Sequence, residues 1–379
     1  MAMLDFDVAA FLRDHWQRTP LLIKNPWRDW RNPLEPDELA GLACEDGIEA
    51  RLVTQARGRW QLEHGPLAEQ RFAKLPKKQW TLLVQAVDQH VPEVAALLEA
   101  FRFLPNWRLD DVMVSYAADE GGVGPHFDQY DVFLIQGLGT RRWQVGALCD
   151  SATPLLPHAD LRLLAEFECE QEWLLEPGDI LYLPPRYAHN GIAVGDDCMT
   201  YSIGLRAPSR SELIAHWVDD VLAGLDDDDR FTDAGRTPVA DPGLIDADAL
   251  ARLQQLALDQ LQDGAAFRRW FGRHSTTRKY PDQAIAPATA TTPAKLRQRL
   301  ERRGELARHP ASRCAYVEDR DGLWLFVDGE EFHCGSDTAE LVRAICAQPR
   351  VAVDAAVLQS ADALALLTAL YNQGSLGFE

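Results

Sequence analysis

Three runs, Val132-Phe133-Leu134-Ile135-Gln136, Ile180-Leu181-Tyr182-Leu183 and Met199-Thr200-Tyr201-Ser202-Ile203, are short, rich in β-branched or aromatic residues, and bounded by glycine or proline. A segment punctuated in this way predicts many short strands that close into a barrel or a sandwich. Helical pieces are expected ahead of them, over residues 80–86 and 94–101, where apolar side chains recur every three or four positions.

The 379 residues exclude several classes. No apolar stretch reaches the ~18 residues of a membrane span. The start, Met1-Ala2-Met3-Leu4-Asp5, has neither the basic nor the apolar region of a secretory signal. Seven scattered cysteines without a Cys-x-x-Cys pair argue against a disulfide framework or a cysteine zinc site, so a cytoplasmic location is expected. A formal charge of −20 disfavours direct nucleic-acid binding and suits a basic protein partner, although acidity also serves plain solubility.

Composition divides the chain into three zones. Residues 1–207 hold the strand-like runs. Residues 208–280 are helical: Pro208 precedes the capping box Ser209-Arg210-Ser211-Glu212, which opens a run with Leu213, Ile214, Trp217, Val218, Val221 and Leu222, ended by the acidic break at 226–229. Leu250, Leu253, Leu256 and Leu261 mark a second amphipathic helix, and Phe267, Trp270 and Phe271 a third apolar face. Such stripes are expected to dock on the first zone or on a second copy of the chain, giving a homodimer. Pro281, Pro287 and Pro293 read as a linker. The last zone, 281–379, is expected to carry a charged helix over 295–306 and a hairpin turning on Asp328-Gly329, then helices over 338–347 and 361–371. This is a winged-helix-like set. With ten basic against fourteen acidic residues, it shows no basic recognition helix.

Chemistry concentrates in Gly121-Gly122-Val123-Gly124-Pro125-His126-Phe127-Asp128-Gln129-Tyr130-Asp131. On an extended chain, His126 and Asp128 leave the same face and can be adjacent ligands of one metal. The best third ligand is His189, which follows the turn Pro177-Gly178-Asp179, a buried strand and Pro184-Pro185. Two imidazoles and a carboxylate on one face of an octahedron leave three positions open, as a non-haem Fe(II) oxygenase requires; zinc is chemically possible on the same set. Asp131 competes weakly with Asp128, because its odd spacing from His126 turns it to the other face. The other eight histidines read as surface or structural. Gly137 and Gly139 suit a hairpin turn, after which Arg141 or Arg142, on opposite faces, carries a guanidinium into the barrel. Such a fork clamps the far carboxylate of a dicarboxylate cosubstrate. Ser115, in Val112-Met113-Val114-Ser115-Tyr116, is a candidate hydroxyl partner for it.

The set His126-x-Asp128…His189, with Gln136-Gly137-x-Gly139-x-Arg141-x-Trp143 and Pro177-Gly178-Asp179, resembles the JmjC (cupin-like) Fe(II)/2-oxoglutarate oxygenases. Phe11-Leu12-x-x-His15-Trp16-Gln17, Leu82-Leu83-Val84-Gln85-Ala86-Val87 and Arg206-Ala207-Pro208 extend the likeness to the bacterial ribosomal oxygenases, arginine hydroxylases of large-subunit ribosomal protein L-sixteen. The resemblance implies an α+β chain with a double-stranded β-helix (jelly-roll, JmjC) catalytic domain over 1–207. It also implies a helical dimerisation region over 208–280 and a winged-helix-like domain over 281–379. Fe(II) on His126, Asp128 and His189 is implied, with 2-oxoglutarate and O2 as cosubstrates. Arg141 matches the basic residue that holds the 2-oxoglutarate C5 carboxylate (lysine in many relatives), and Ser115 a position lining the cosubstrate site. The implied product is a 3-hydroxyarginine in a basic ribosomal protein. Two alternatives stay open: a JmjC hydroxylase of a histidine or of another protein, and a non-enzymatic cupin scaffold that binds a basic partner. Zinc-dependent hydrolysis lacks a separate general base at suggestive spacing.

Overall fold

In the computed structural model, residues 4–56, 58–158 and 160–378 are described. The chain forms two compact units, Met1–Ala207 and Pro208–Glu379.

The first unit is built on nine strands: β1 Leu21–Ile23, β2 Ala50–Ala56, β3 Arg59–His64, β4 Trp80–Val84, β5 Leu109–Ala117, β6 Val132–Leu148, β7 Gln171–Leu175, β8 Ile180–Leu183 and β9 Tyr187–Leu205. Their order is β1-β8-β6-β9-β5-β4-β2-β3, with β7 also on β6, and every pairing is antiparallel. Helices α1 Val8–Asp14, α2 Pro36–Leu42, α3 Glu69–Phe72 and α4 Pro92–Ala95 are short. This all-antiparallel order suits the jelly-roll barrel expected from the sequence.

Strands β6 and β9 pair along almost their whole length, with register shifts near residues 136–140. The two glycines expected to make a hairpin turn instead form this bulge, and β6 continues through them. Gly139 has φ +58, and a Cβ on Gly137 would strike the Tyr201 ring. Bulges of this kind bend a strand, letting one ribbon serve two layers.

Residues 80–86 also depart from expectation. Trp80–Val84 form strand β4, not a helix, with Thr81, Leu82, Leu83 and Val84 all buried. An apolar run buried on both faces has no strand period to read. Residues 94–101 are helical, α4 passing into a 3-10 segment, Ala96–Phe101.

The core is aromatic: Phe11 meets Tyr182 at 4.9 Å and Phe101 meets Phe133 at 4.7 Å between ring centroids. Asp131 anchors this core. It is fully buried and accepts hydrogen bonds from the Tyr182 hydroxyl at 2.6 Å, Arg108 at 2.9 Å and Gln17 at 3.0 Å. Its partners occupy it as a structural carboxylate.

The second unit opens with α5 Arg210–Ala223, whose Ser209 and Glu212 form the reciprocal capping box. Helices α6 Ala247–Leu261 and α7 Gly264–Thr276 follow. Trp217 of α5 packs on Phe267 and Trp270 of α7 at 5.5 and 5.4 Å. The α7 helix also has a neighbour within its own unit. Gly272 lies under Phe326, so α7 covers the C-terminal sheet of β11 Cys314–Asp319, β12 Gly322–Val327 and β13 Glu330–Cys334.

The β12–β13 turn has Asp328 and Gly329 at φ 56 and 90, as a two-residue hairpin turn requires. Helix α8 Pro293–Arg303 ends at Gly304, φ +74, and Leu306 belongs to β10 Glu305–Arg308, so the charged helix is shorter than its charge run. Helices α9 Ala339–Ala347, α10 Ala355–Gln359 and α11 Ala361–Asn372 complete the unit with β14 Arg350–Ala352 and β15 Leu376–Gly377, which flank β10. Among the described residues, no helix is long and apolar enough to cross a membrane.

Candidate active site

His126 lies on the loop ahead of β6 rather than on a regular strand. It is nevertheless held in extended geometry by an isolated bridge to His189 of β9, with N–H to O distances of 3.0 and 2.8 Å in the two directions. The Asp128 carbonyl accepts the Arg186 N–H at 2.6 Å, which ties the third residue to the same end of β9. Each imidazole has its Nδ1 on a carbonyl: His126 on Gly124 at 2.8 Å and His189 on Tyr187 at 2.9 Å. Bonds of this kind set the tautomer, leaving both Nε2 lone pairs for another partner. Asp128 Oδ2 is 3.7 Å from His189 Nε2. Ligand atoms of His126, Asp128 and His189 all lie within 4.8 Å of one another, and no other group of three such residues does so among the described residues. Burial first, and the neighbouring His126 second, hold the His189 imidazole below its ordinary range and therefore neutral. Two imidazoles and a carboxylate fit a divalent first-row metal with open positions.

Along β6, Val145 stands opposite His189, Trp143 opposite Gly191 and Arg141 opposite Ala193, so all three share the face that carries the histidine. Arg142 points away and sits half-exposed, 4.0 Å from Glu172. Arg141 is 4% exposed, and its Nε and Nη2 have no hydrogen-bond partner among the described residues. A buried guanidinium without a partner is costly, and its planar fork matches a carboxylate. Ser115 is buried on β5 opposite Thr200, in a different row from Arg141.

Two further residues carry no role in the sequence pattern. Tyr130 is held above its ordinary pKa, by burial first and then by the Asp128 and Asp111 carboxylates. Asp111, 2% exposed on β5, accepts from Gln85 Nε2 at 2.8 Å and from the Ala86 N–H at 2.9 Å. The available signal was an acidic pair, Asp110-Asp111, opening an apolar strand. An acid at a buried strand position needs a reason.

A JmjC domain family model matches residues 96–213, and a ROXA-like winged helix model matches residues 259–377. The ribosomal protein uL16 3-hydroxylase of Escherichia coli is 36% identical over 371 residues, 97% of each chain. A probable ribosomal oxygenase of Haemophilus influenzae is 36% identical over 84% of this chain and 80% of its own. Among solved structures, E. coli YcfD superposes with a TM-score of 0.90 at 34% identity, covering both chains completely. A complex of YcfD with cobalt and 2-oxoglutarate matches at 0.88, also at 34% identity and full coverage of both chains. Likeness at this level, running end to end through both units, makes this chain a member of the JmjC-domain ribosomal oxygenase family.

Proposed function

We propose that this protein is an Fe(II)- and 2-oxoglutarate-dependent dioxygenase that adds a hydroxyl to the β-carbon of an arginine in ribosomal protein uL16. The observation that carries the reading is the buried, unpaired Arg141 fork on the same barrel face as the histidine and carboxylate cluster. A charged donor kept dry without a partner is a receptor for an anion, and a diacid can span from it to a metal.

His126, Asp128 and His189 would hold the iron, Arg141 would clamp the C5 carboxylate of 2-oxoglutarate, and Ser115 would line that site. With iron bound, the centre supplies oxidative decarboxylation: 2-oxoglutarate and O2 become succinate and CO2, and one oxygen atom enters a substrate C–H bond. The chain supplies orientation. The carbonyls of Gly124 and Tyr187 fix both imidazole tautomers, and the Arg186 N–H fixes the Asp128 backbone.

The relatives act on or are named for a ribosomal protein, which is basic, and the −20 charge of this chain favours encounter with such a partner. Action in the cytoplasm follows from that substrate. The division into a catalytic domain over 1–207, a helical dimerisation region over 208–280 and a winged-helix-like domain over 281–379 is part of the same reading. A homodimer is proposed because Leu222, Leu244, Ile245 and Leu250 stand more than half exposed in the helical region. No direct contact with nucleic acid is included.

Mass spectrometry of recombinant uL16, after incubation with enzyme, Fe(II), 2-oxoglutarate and air, tests the function. A gain of one oxygen on an arginine, absent without 2-oxoglutarate, is the expected result. Oxygen gained on a histidine, or on another ribosomal protein, would move the substrate. No turnover of any basic partner by iron-loaded protein would overturn the reading in favour of a scaffold.

A further inference from the structure

Trp143 shares the inner face of β6 with Arg141, and the reaction as described gives it no task. It stands midway between two rows, Val145 opposite His189 and Arg141 opposite Ala193. Its ring centroid is 5.9 Å from the His189 ring and 5.8 Å from the Arg141 guanidinium carbon, so the indole occupies the space between them. Opposite it is Gly191, where a Cβ would lie 2.7–2.9 Å from the six-membered ring. Only glycine there lets the indole lie across β9. Although Trp143 is 6% exposed, its Nε1–H has no hydrogen-bond partner among the described residues. Buried indole N–H groups usually find one. Two side chains next to each other on one strand face thus both carry unused donors.

We propose that Trp143 is a cosubstrate-binding residue whose Nε1–H donates to the same distal carboxylate that Arg141 clamps, its ring flooring the chain between the two ends of the diacid. This rests on the reading of 2-oxoglutarate as the ligand. At ~3.3 Å rise per residue, the His189 and Arg141 rows are about 13 Å apart. An arginine side chain plus a five-carbon diacid bridges such a gap, and Trp143 sits below its midpoint. A third donor to a carboxylate is expected to tighten binding roughly tenfold, and only for ligands that carry the distal carboxylate.

The test uses manganese-loaded protein without oxygen, titrated calorimetrically with 2-oxoglutarate and with 2-oxopentanoate, which lacks the distal carboxylate. Wild type is expected to bind the diacid far more tightly. Trp143→Phe keeps an aromatic floor and loses the N–H; its Kd for 2-oxoglutarate should rise about tenfold while that for 2-oxopentanoate stays within about twofold. An unchanged Kd for the diacid, or equal weakening of both ligands, would overturn the proposal. Failure of wild type to discriminate the two acids would instead overturn the cosubstrate reading itself. If Trp143→Phe does not fold, 15N-indole spectra of zinc-loaded wild type decide: one of the eleven tryptophan N–H signals should move with 2-oxoglutarate and not with 2-oxopentanoate. No such selective movement counts against Trp143 as donor.

Discussion

Inside the barrel, polar atoms are buried with nothing to bond; along α5 and α6, apolar side chains stand in water with nothing to cover them. Among the described residues, Arg141 and Trp143 keep three nitrogen donors dry and unpaired, while Leu222 of α5 is 59% exposed and α6 has no buried residue. Each departs from the folding norm in the opposite direction. A buried donor is satisfied by something small and charged that enters, and an exposed apolar stripe by another protein surface. On the function proposed above, the barrel takes the small anion and the helical region another protein surface.

The sharpest way to break the barrel half of the comparison is to remove a ligand. Asp128→Ala should reduce 2-oxoglutarate turnover by well over the ~100-fold that loss of a supporting hydrogen-bond partner costs a metal site. Circular dichroism should show an intact fold, since Asp128 is a partly exposed residue outside the core. Succinate still formed at more than one-tenth of the wild-type rate would remove Asp128 from the ligand set.

The helical half is tested by charge. Leu253 of α6 is 43% exposed, and Leu253→Asp should weaken the proposed dimer roughly a hundredfold, as loss of a central apolar anchor does. Size-exclusion with light scattering reads it directly; an unchanged dimer would place the interface elsewhere. Trp217 is unsuited to this test, because it is buried between α5 and α7 and its replacement would damage the unit itself.

Much of this was legible from residue order alone, for physical reasons that differ by element. The ligand cluster was readable because a metal needs particular side chains at particular spacings, whatever the backbone does between them. Thus His126 and Asp128 converge with His189 even though they sit on a bridged loop rather than the strand expected. The capping box at Ser209 and the Asp328-Gly329 turn were readable because their chemistry is local. Strand β4 was not, since an apolar stretch buried on both faces carries no period. Nor was the Gly137–Gly139 bulge, where glycine signals an unusual backbone without saying which. Asp111 escaped because its partners, Gln85 and the Ala86 N–H, are remote in sequence.

Packing between α7 and the C-terminal sheet sets the next effect. Gly272 faces the Phe326 ring so closely that any Cβ must displace it. Gly272→Ala should destabilise the second unit by about 1–3 kcal/mol, the usual range for overpacking. Thermal unfolding followed by tryptophan fluorescence measures this; a stabilised variant would mean that the sheet yields to α7 rather than holding it.

The smallest effect tests the same contact electrostatically. Glu331 of β13 meets Arg269 and Arg273 of α7, the latter at 2.9 Å. The hydrogen bond from Arg269 chiefly, with that from Arg273, holds its carboxyl below the usual carboxylate range. A carboxyl whose folded pKa is depressed contributes stability that is complete above its unfolded pKa of ~4.3 and is lost as pH falls through the folded value. Glu331→Gln should therefore cost about 1 kcal/mol at pH 7, in line with partly exposed ion pairs, and progressively less as the pH is lowered below about 4. Urea unfolding of both proteins across that range gives the difference. A gap that widens toward acid would reverse the sign and place the origin of the shift outside the α7–β13 contact.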